Sequence, residues 1–414
     1  MTGKITLSIF FCAVSLFTLS WDVFGNFSVG SLNVKLSAIG FVFALITSNF
    51  SNPWFLKSKL IQVVVKITGA LLLTFLVASL LSNHVGDALG QVARIIIGAF
   101  VPFIALASSI RKPQDLERCL AWFIRGMVLA ACFGFYQLSA YYLHLPQLIE
   151  YTGISGGVGR ISALSYEPAT FGQMILMGMA AVIALAKMRK RSIPVLVMSI
   201  LTLAAMLANT RALLLTIPIF LILIIPRVLS AQTRARFLVF LVGLAYLLTL
   251  GLLVAPNSLE FILSQFMSIF DPNEVSSNAR RLSQYSITFD IISDRWLFGI
   301  GPGNLFYEVS VIDQNVFDGD ASNEVIANNI WLQAISDGGI ILVGLHVGLI
   351  AFVVTKLYSG RDDVTRTLSA AWLALVLVSG LVGSDFYTPS RWVLLAFMCI
   401  ACFRELNSEV KPST

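Results

Sequence analysis

The sequence predicts an all-α polytopic membrane protein of about twelve transmembrane helices. Three observations carry this reading. Of its 414 residues, 57% are hydrophobic and only 12% are charged, where soluble domains are about a quarter charged. Apolar runs of about 17 to 25 residues recur along most of the chain, each long enough to cross a bilayer as a helix. Hydrocarbon offers no partner to an unpaired backbone group, which leaves helices as the open choice.

The expected spans lie near residues 5–21, 32–50, 60–82, 92–110, 119–141, 168–187, 194–208, 212–226, 237–255, 329–357, 368–384 and 391–404. The first belongs to MTGKITLSIFFCAVSLFTLSW, which lacks a small-x-small cleavage site and reads as a retained span rather than a signal peptide. The connecting segments alternate in charge. With the N-terminus inside, the inner segments hold Lys4, Lys57, Lys59, Arg111, Lys112, Arg118, Lys187, Arg189, Lys190, Arg191, Arg227, Arg234, Arg236, Lys356, Arg361, Arg366, Arg404 and Lys411, 18 of the 28 basic residues. The positive-inside bias then places both termini in the cytoplasm. The net charge of +6 therefore reports sidedness and does not point to nucleic acid.

Two external connections are long. Residues 142–167 form a medium loop. Residues 256–328 form a larger one, expected to fold as a cap or lid on the single transmembrane domain that spans 1–414. Its middle, SSNARRLSQYSITFDIISDRWLFG, reads as a helix capped by Ser277 or Asn278, with Leu282, Tyr285, Phe289 and Ile292 at three- and four-residue steps. GIGPGN then ends the helix as a turn; it lacks the lysine and the strand that a phosphate-cradling loop needs. No fixed-period repeat is evident, which excludes solenoids.

The five cysteines all fall outside the external segments, so no exported disulfide is expected. Cys399 and Cys402 form a CxxC inside the last apolar run and read as packing residues. Three histidines are too few for a histidine-rich metal site. His346 lies deep in a span, where packing or a helix-to-helix hydrogen bond is expected. No acidic residue is assigned to the middle of a span.

Six basic residues remain on the external side: Arg160, Arg211, Arg280, Arg281, Arg295 and Arg391. None is lysine. Arginine presents a planar fork that grips phosphate oxygens in pairs and keeps its charge when partly desolvated. The large loop is otherwise acidic, with ten carboxylates against three arginines. Arg280, Arg295 or Arg391 taken singly therefore also reads as a snorkelling anchor or a partner for these acids. Arg211 is different. ANTRALLL joins two spans with almost no loop, which sets Arg211 at helix-start depth, where an ionisable group is a functional candidate. Glu167 precedes Pro168 at a helix start. It suits the positive helix end, and it could equally take a proton from an attacking hydroxyl near a bound anion.

The order of these motifs resembles the O-antigen ligase and Wzy-type polymerase superfamily. GRISALSYEPATFGQ resembles its arginine-turn-proline-helix segment, and ANTRALLL its Ser/Asn-x-Arg-small motif. RRLSQYSITFDIISDRWLFGIGPGNLF with ANNIWLQAISDGGIILVG is similar to its external loop and following span. The resemblance covers roughly residues 155 to 345. It implies a GT-C-like membrane glycosyltransferase, free of metal and nucleotide cofactors, at the periplasmic face of the bacterial inner membrane. Its substrate would be an undecaprenyl-diphosphate-linked glycan. Its partners would be membrane lipids, a chain-length regulator and a flippase. Arg160 and Arg211 map onto diphosphate-contacting arginines and Arg280 or Arg281 onto loop arginines. Arg295, Tyr285 and Asn328 complete the expected binding set. The sequence departs from the ligases in one place. Their His-Asn-x-x-Leu segment here reads Asn328-Asn329-Ile330-Trp331-Leu332, and Asn328 cannot serve as a general base. That leaves Glu167 as the candidate base and favours polymerisation over transfer to lipid A-core. A lipid-linked oligosaccharide flippase is the other class; such carriers usually show two similar halves and short external loops, whereas these halves differ.

Overall fold

The computed structural model describes residues 6–21, 26–29, 32–48, 59–146, 154–155, 158–165, 167–208, 210–228, 278–305, 307–308, 329–359, 362–382 and 386–409. Within them the chain forms twelve helices: α1 (Leu7–Phe17), α2 (Leu36–Thr47), α3 (Lys59–Leu80), α4 (Val85–Ser109), α5 (Pro113–Tyr142), α6 (Pro168–Met188), α7 (Val195–Ala208), α8 (Arg211–Val228), α9 (Asn278–Ser293), α10 (Ile330–Tyr358), α11 (Asp363–Val382) and α12 (Pro389–Glu409). All but α9 coincide with expected spans. The expected span at 237–255 lies outside the described residues. Helices α3, α4, α5, α6 and α10 are long and apolar enough to cross a membrane, and α1, α2 and α7 are shorter apolar helices. The protein is a polytopic membrane protein. Two short antiparallel ribbons, which the hydropathy pattern does not foretell, pair Asn26–Val29 with Leu32–Lys35 and Ile154–Ser155 with Val158–Gly159.

Local sequence explains several helix starts. Pro113 and Pro168 occupy first-turn positions, where a missing N–H costs nothing. Asn329 caps α10 by accepting from the backbone N–H of Trp331 at 2.9 Å and of Leu332 at 3.2 Å. Asp362 does the same for α11.

Ion pairs define one end of the bundle. Lys187 pairs with Asp363 at 3.1 Å, and Arg189 with Glu117, tying the end of α6 to the starts of α5 and α11. These basic residues belong to the set assigned to the cytoplasm. The opposite end gathers the starts of α6, α8, α10 and α12. Between the two ends the core is apolar and densely packed: Trp372, Trp392, Phe123 and Phe171 are buried. Gly126 of α5 lies so close to α1 that an added Cβ would stand 2.3 Å from the Phe17 carbonyl oxygen, the small-residue contact expected of membrane helices.

Besides the π-helical turns Ile96–Phe100 in α4 and Val353–Tyr358 in α10, two stretches among the described residues depart from regular helix. The first is residues 161–165, the end of the medium loop, which is buried. Ile161 N–H donates to Leu207 O at 3.1 Å, Ala163 N–H to Gln137 Oε1 at 3.0 Å, and Ser165 Oγ to Ser20 O at 3.3 Å. The segment therefore dips between α1, α5 and α7. The second is a break in α10, where Gly338 and Gly339 leave helical geometry. The turn that follows α9 fills the break. Ile300 N–H donates to Ser336 O and Ile340 N–H to Trp296 O, each at 2.8 Å. Without such partners, backbone groups at membrane depth would cost about several kcal/mol each.

Gly339 has φ +69°, and a Cβ there would stand 2.0 Å from Leu297 O. Gly339→Ala should therefore meet about 1–3 kcal/mol of backbone strain plus a clash with the turn. A lower thermal unfolding midpoint in detergent is expected for Gly339→Ala. Gly344→Ala, with nothing within 4 Å, should match the parent protein in the same measurement.

Candidate functional site

Backbone hydrogen bonding brings the two sequence-distant motifs together. Ile161 N–H is bonded to Leu207 O, and Arg160 Nε donates to Ala208 O at 3.4 Å. Arg160 is thereby fixed at the end of α7, three residues before Arg211 opens α8. Thr210 supports that opening: its Oγ1 accepts from Leu213 N–H at 3.4 Å. The first turns of α6 and α8 also touch. A Cβ on Gly172 would stand 2.0 Å from Leu213 Cδ1, so a larger residue would force the Leu213 side chain to move. Glu167, one residue before α6, is exposed and makes no side-chain cap to its own helix.

A third helix start joins them. Arg391, in the first turn of α12, donates from Nη2 to Gln173 Oε1 of α6 at 3.0 Å. It is 1% exposed, so its charge is withdrawn from bulk water rather than snorkelling towards it. The start of α6 thus touches the start of α8 at Gly172 and the start of α12 at Gln173, and this end of the bundle is called its mouth here. Each helix start carries unpaired N–H groups and a partial positive charge, and together with guanidinium groups they favour an anion.

The remaining expected residues are distributed as follows. Arg280 and Arg281 lie in the first turn of α9, which packs on α10. Tyr285 is half-buried one turn further along. Arg295 donates from Nη2 to Asn83 Oδ1 at 3.3 Å, and Asn83 donates in turn to Glu308 Oε1 at 3.1 Å. Arg295 therefore faces the α3–α4 turn. There His84 stacks on Tyr307 at 4.2 Å, and the Tyr307 hydroxyl, bonded to the Asp87 carboxylate, is held above its ordinary pKa. Asn328 lies outside the described residues.

The sequence gives two residues no place in the site, Arg391 among the external arginines and Asp337. Arg391 was indistinguishable from a surface anchor because its acceptor, Gln173, is 218 residues away. Asp337 was passed over as a span residue, yet the structure buries it at the break of α10 with 6% exposure. Its Oδ1 accepts from Gln333 Nε2 at 2.8 Å, and its carboxylate accepts the Gly303 N–H. The two adjacent glycines after it were the available signal. His346, buried further along α10 as expected, bonds through Nε2 to the Tyr387 hydroxyl at 2.6 Å, in the turn that leads into α12 rather than on a helix. GIGPGN is a turn with Gly299, Gly301 and Gly303 all at positive φ. Among the described residues no group of three His, Cys, Asp or Glu side chains could hold a metal ion.

A search of curated proteins finds no match to the chain. The family model Wzy_C, described as O-Antigen ligase, matches residues 195–347. That stretch runs from α7 through the large loop into α10 and includes Arg211, Arg280, Arg281, Arg295 and Asp337. Arg160, Glu167 and Arg391 reach the same mouth from outside it. Members of the family are membrane glycosyltransferases of ligase or polymerase type that act on lipid-linked glycans. Residues 195–347 are thus a Wzy_C O-antigen ligase domain, set in a multi-pass membrane protein.

Proposed function

We propose that the protein polymerises oligosaccharide repeat units carried on undecaprenyl diphosphate, at the periplasmic face of the bacterial inner membrane. The observation that carries this reading is the joining of Arg160 to the end of α7, beside Arg211, at a mouth built from three helix starts. A diphosphate is a strong dianionic ligand and already a good leaving group. Arginines and helix starts neutralise the charge that grows on it as the anomeric bond breaks. Glu167, exposed beside the mouth, takes the proton of the acceptor hydroxyl as that oxygen bonds to the anomeric carbon. Arg280, Arg281 and Arg295, on the large loop, serve the bound glycan and its carrier from above. The loop closes over the sugars and limits water.

Polymerisation is favoured over ligation by Asn328, which stands where ligases carry a histidine. A purified preparation supplied with one lipid-linked repeat unit should yield a ladder of products. Product formed only after addition of lipid A-core would make the protein a ligase. Movement of the substrate across a vesicle wall with no covalent product would make it a flippase.

Arg160→Ala and Arg211→Ala should each lower chain growth by at least about 100-fold, the scale seen when one charge-stabilising donor is lost. Membrane yield should stay unchanged. Normal polymer from both variants would refute the diphosphate role. Glu167→Gln separates the two readings of that carboxylate: a loss of about 100-fold or more is expected for a base, and activity within a few-fold of the parent leaves Glu167 as a helix-start residue.

A further inference from the structure

Gln137 stands near the outer end of α5, outside every motif that the sequence singles out. It is 3% exposed, and its Oε1 accepts the Ala163 N–H at 3.0 Å. Glutamine is seldom buried this far unless its amide has a partner to hold. The partner is itself unusual. Ala163 has φ +52°, in the left-handed region that glycine ordinarily occupies. A side-chain-bearing residue persists there where its surroundings over-determine it, and such residues cluster at functional sites.

The surroundings of Ala163 do this from three sides. Ile161 N–H, two residues before it, is held by Leu207 O of α7 at 3.1 Å. Ser165 N–H, two residues after it, closes a turn on Ser162 O at 3.0 Å. Between them the Gln137 bond joins the turn to α5. Gly134 makes the room. It lies one helical turn before Gln137 on the same face, and a Cβ there would stand 3.1 Å from Ile161 Cδ1 and 3.4 Å from Ala163 Cβ. Packing alone could bury Ile161 and Ala163, but it would not fix the direction of an N–H; a hydrogen bond does. The segment thus has two directional anchors, Leu207 O on α7 and Gln137 Oε1 on α5. Arg160 is the next residue out from Ile161, so its backbone starts from the place that these anchors fix.

We propose that Gln137 is a positioning residue of the diphosphate site: it holds Ala163 in its left-handed geometry and thereby sets the buried turn from which Arg160 reaches a lipid diphosphate. The inference rests on the diphosphate role of Arg160 argued above, and the test keeps the two apart. Full-length protein in detergent would be titrated with farnesyl diphosphate, a soluble prenyl diphosphate, and amide hydrogen exchange would be followed over residues 161–165. Gln137→Met keeps the bulk of the side chain and removes its acceptor. It should weaken binding about tenfold, the scale of one lost hydrogen bond, and speed exchange in the segment. Gln137→Glu, which keeps an oxygen in that place, should restore both. Ala163→Gly holds positive φ without strain, so adding it to Gln137→Met should recover part of the lost binding. Arg160→Ala should bind far more weakly than the parent. If it does while Gln137→Met binds normally, the diphosphate reading stands and the positioning role falls. If the parent does not bind, or Arg160→Ala binds as the parent does, the diphosphate reading falls and the positioning role falls with it. A loss in Gln137→Met that Gln137→Glu leaves unrepaired assigns Gln137 to packing and also overturns the proposal. Should Gln137→Met fail to fold, Gln137→Asn, which withdraws the oxygen by one methylene, is read by the same criteria.

Discussion

Hydrocarbon penalises unpaired backbone, and both irregular stretches described above are pinned by backbone hydrogen bonds inside the protein. Ile161 and Ala163 hand their N–H groups to Leu207 O and Gln137 Oε1. The α10 break exchanges two backbone hydrogen bonds with the turn after α9. An isolated helix could not carry either departure, since each orphan group would cost about several kcal/mol at membrane depth. Two candidate residues sit where these repairs are made. Arg160 heads the first stretch, and Asp337 ends the helical turn just before the second.

The mouth of the bundle follows from the same economy of small residues and shared backbone. Gly172 lets α8 approach α6, and the approach sets Arg211 near the helix start that follows Glu167. Gln173, next in sequence, reaches across to Arg391. Three positive helix ends in one place would repel one another over a dry interior. An anionic headgroup relieves this, which gives the diphosphate of the proposed carrier a physical reason to settle there.

Much of the fold is legible in the sequence because a bilayer enforces a simple code. Run length marks the helices, and the basic clusters mark one end of the bundle; Lys187, Arg189 and Arg366 are found there in ion pairs. The helix over α9 and the turn at GIGPGN follow from spacing and glycine chemistry. What hydropathy does not encode is depth within a loop. Residues 161–165 read as external because Arg160, Ser162 and Ser165 interrupt the apolar pattern, yet Arg160 and Ser165 find partners inside, at Ala208 O and Ser20 O. Arg391 and Asp337 escaped for a related reason. Whether a charge near the end of a span faces water or protein depends on a residue far away in the chain, Gln173 in one case and Gly303 in the other.

The interlock at the α10 break also bears on how the chain assembles. Gly299 and Gly339 bring two backbones so close that neither position accepts a side chain. Residues 296–304 leave the ribosome ahead of α10, and proteins made in this order fold from the N-terminal side. The turn that fits the broken helix is therefore already synthesised when that helix arrives. Insertion of α10 as a straight rod followed by later kinking is not required. The helix is moulded on a surface that was synthesised first.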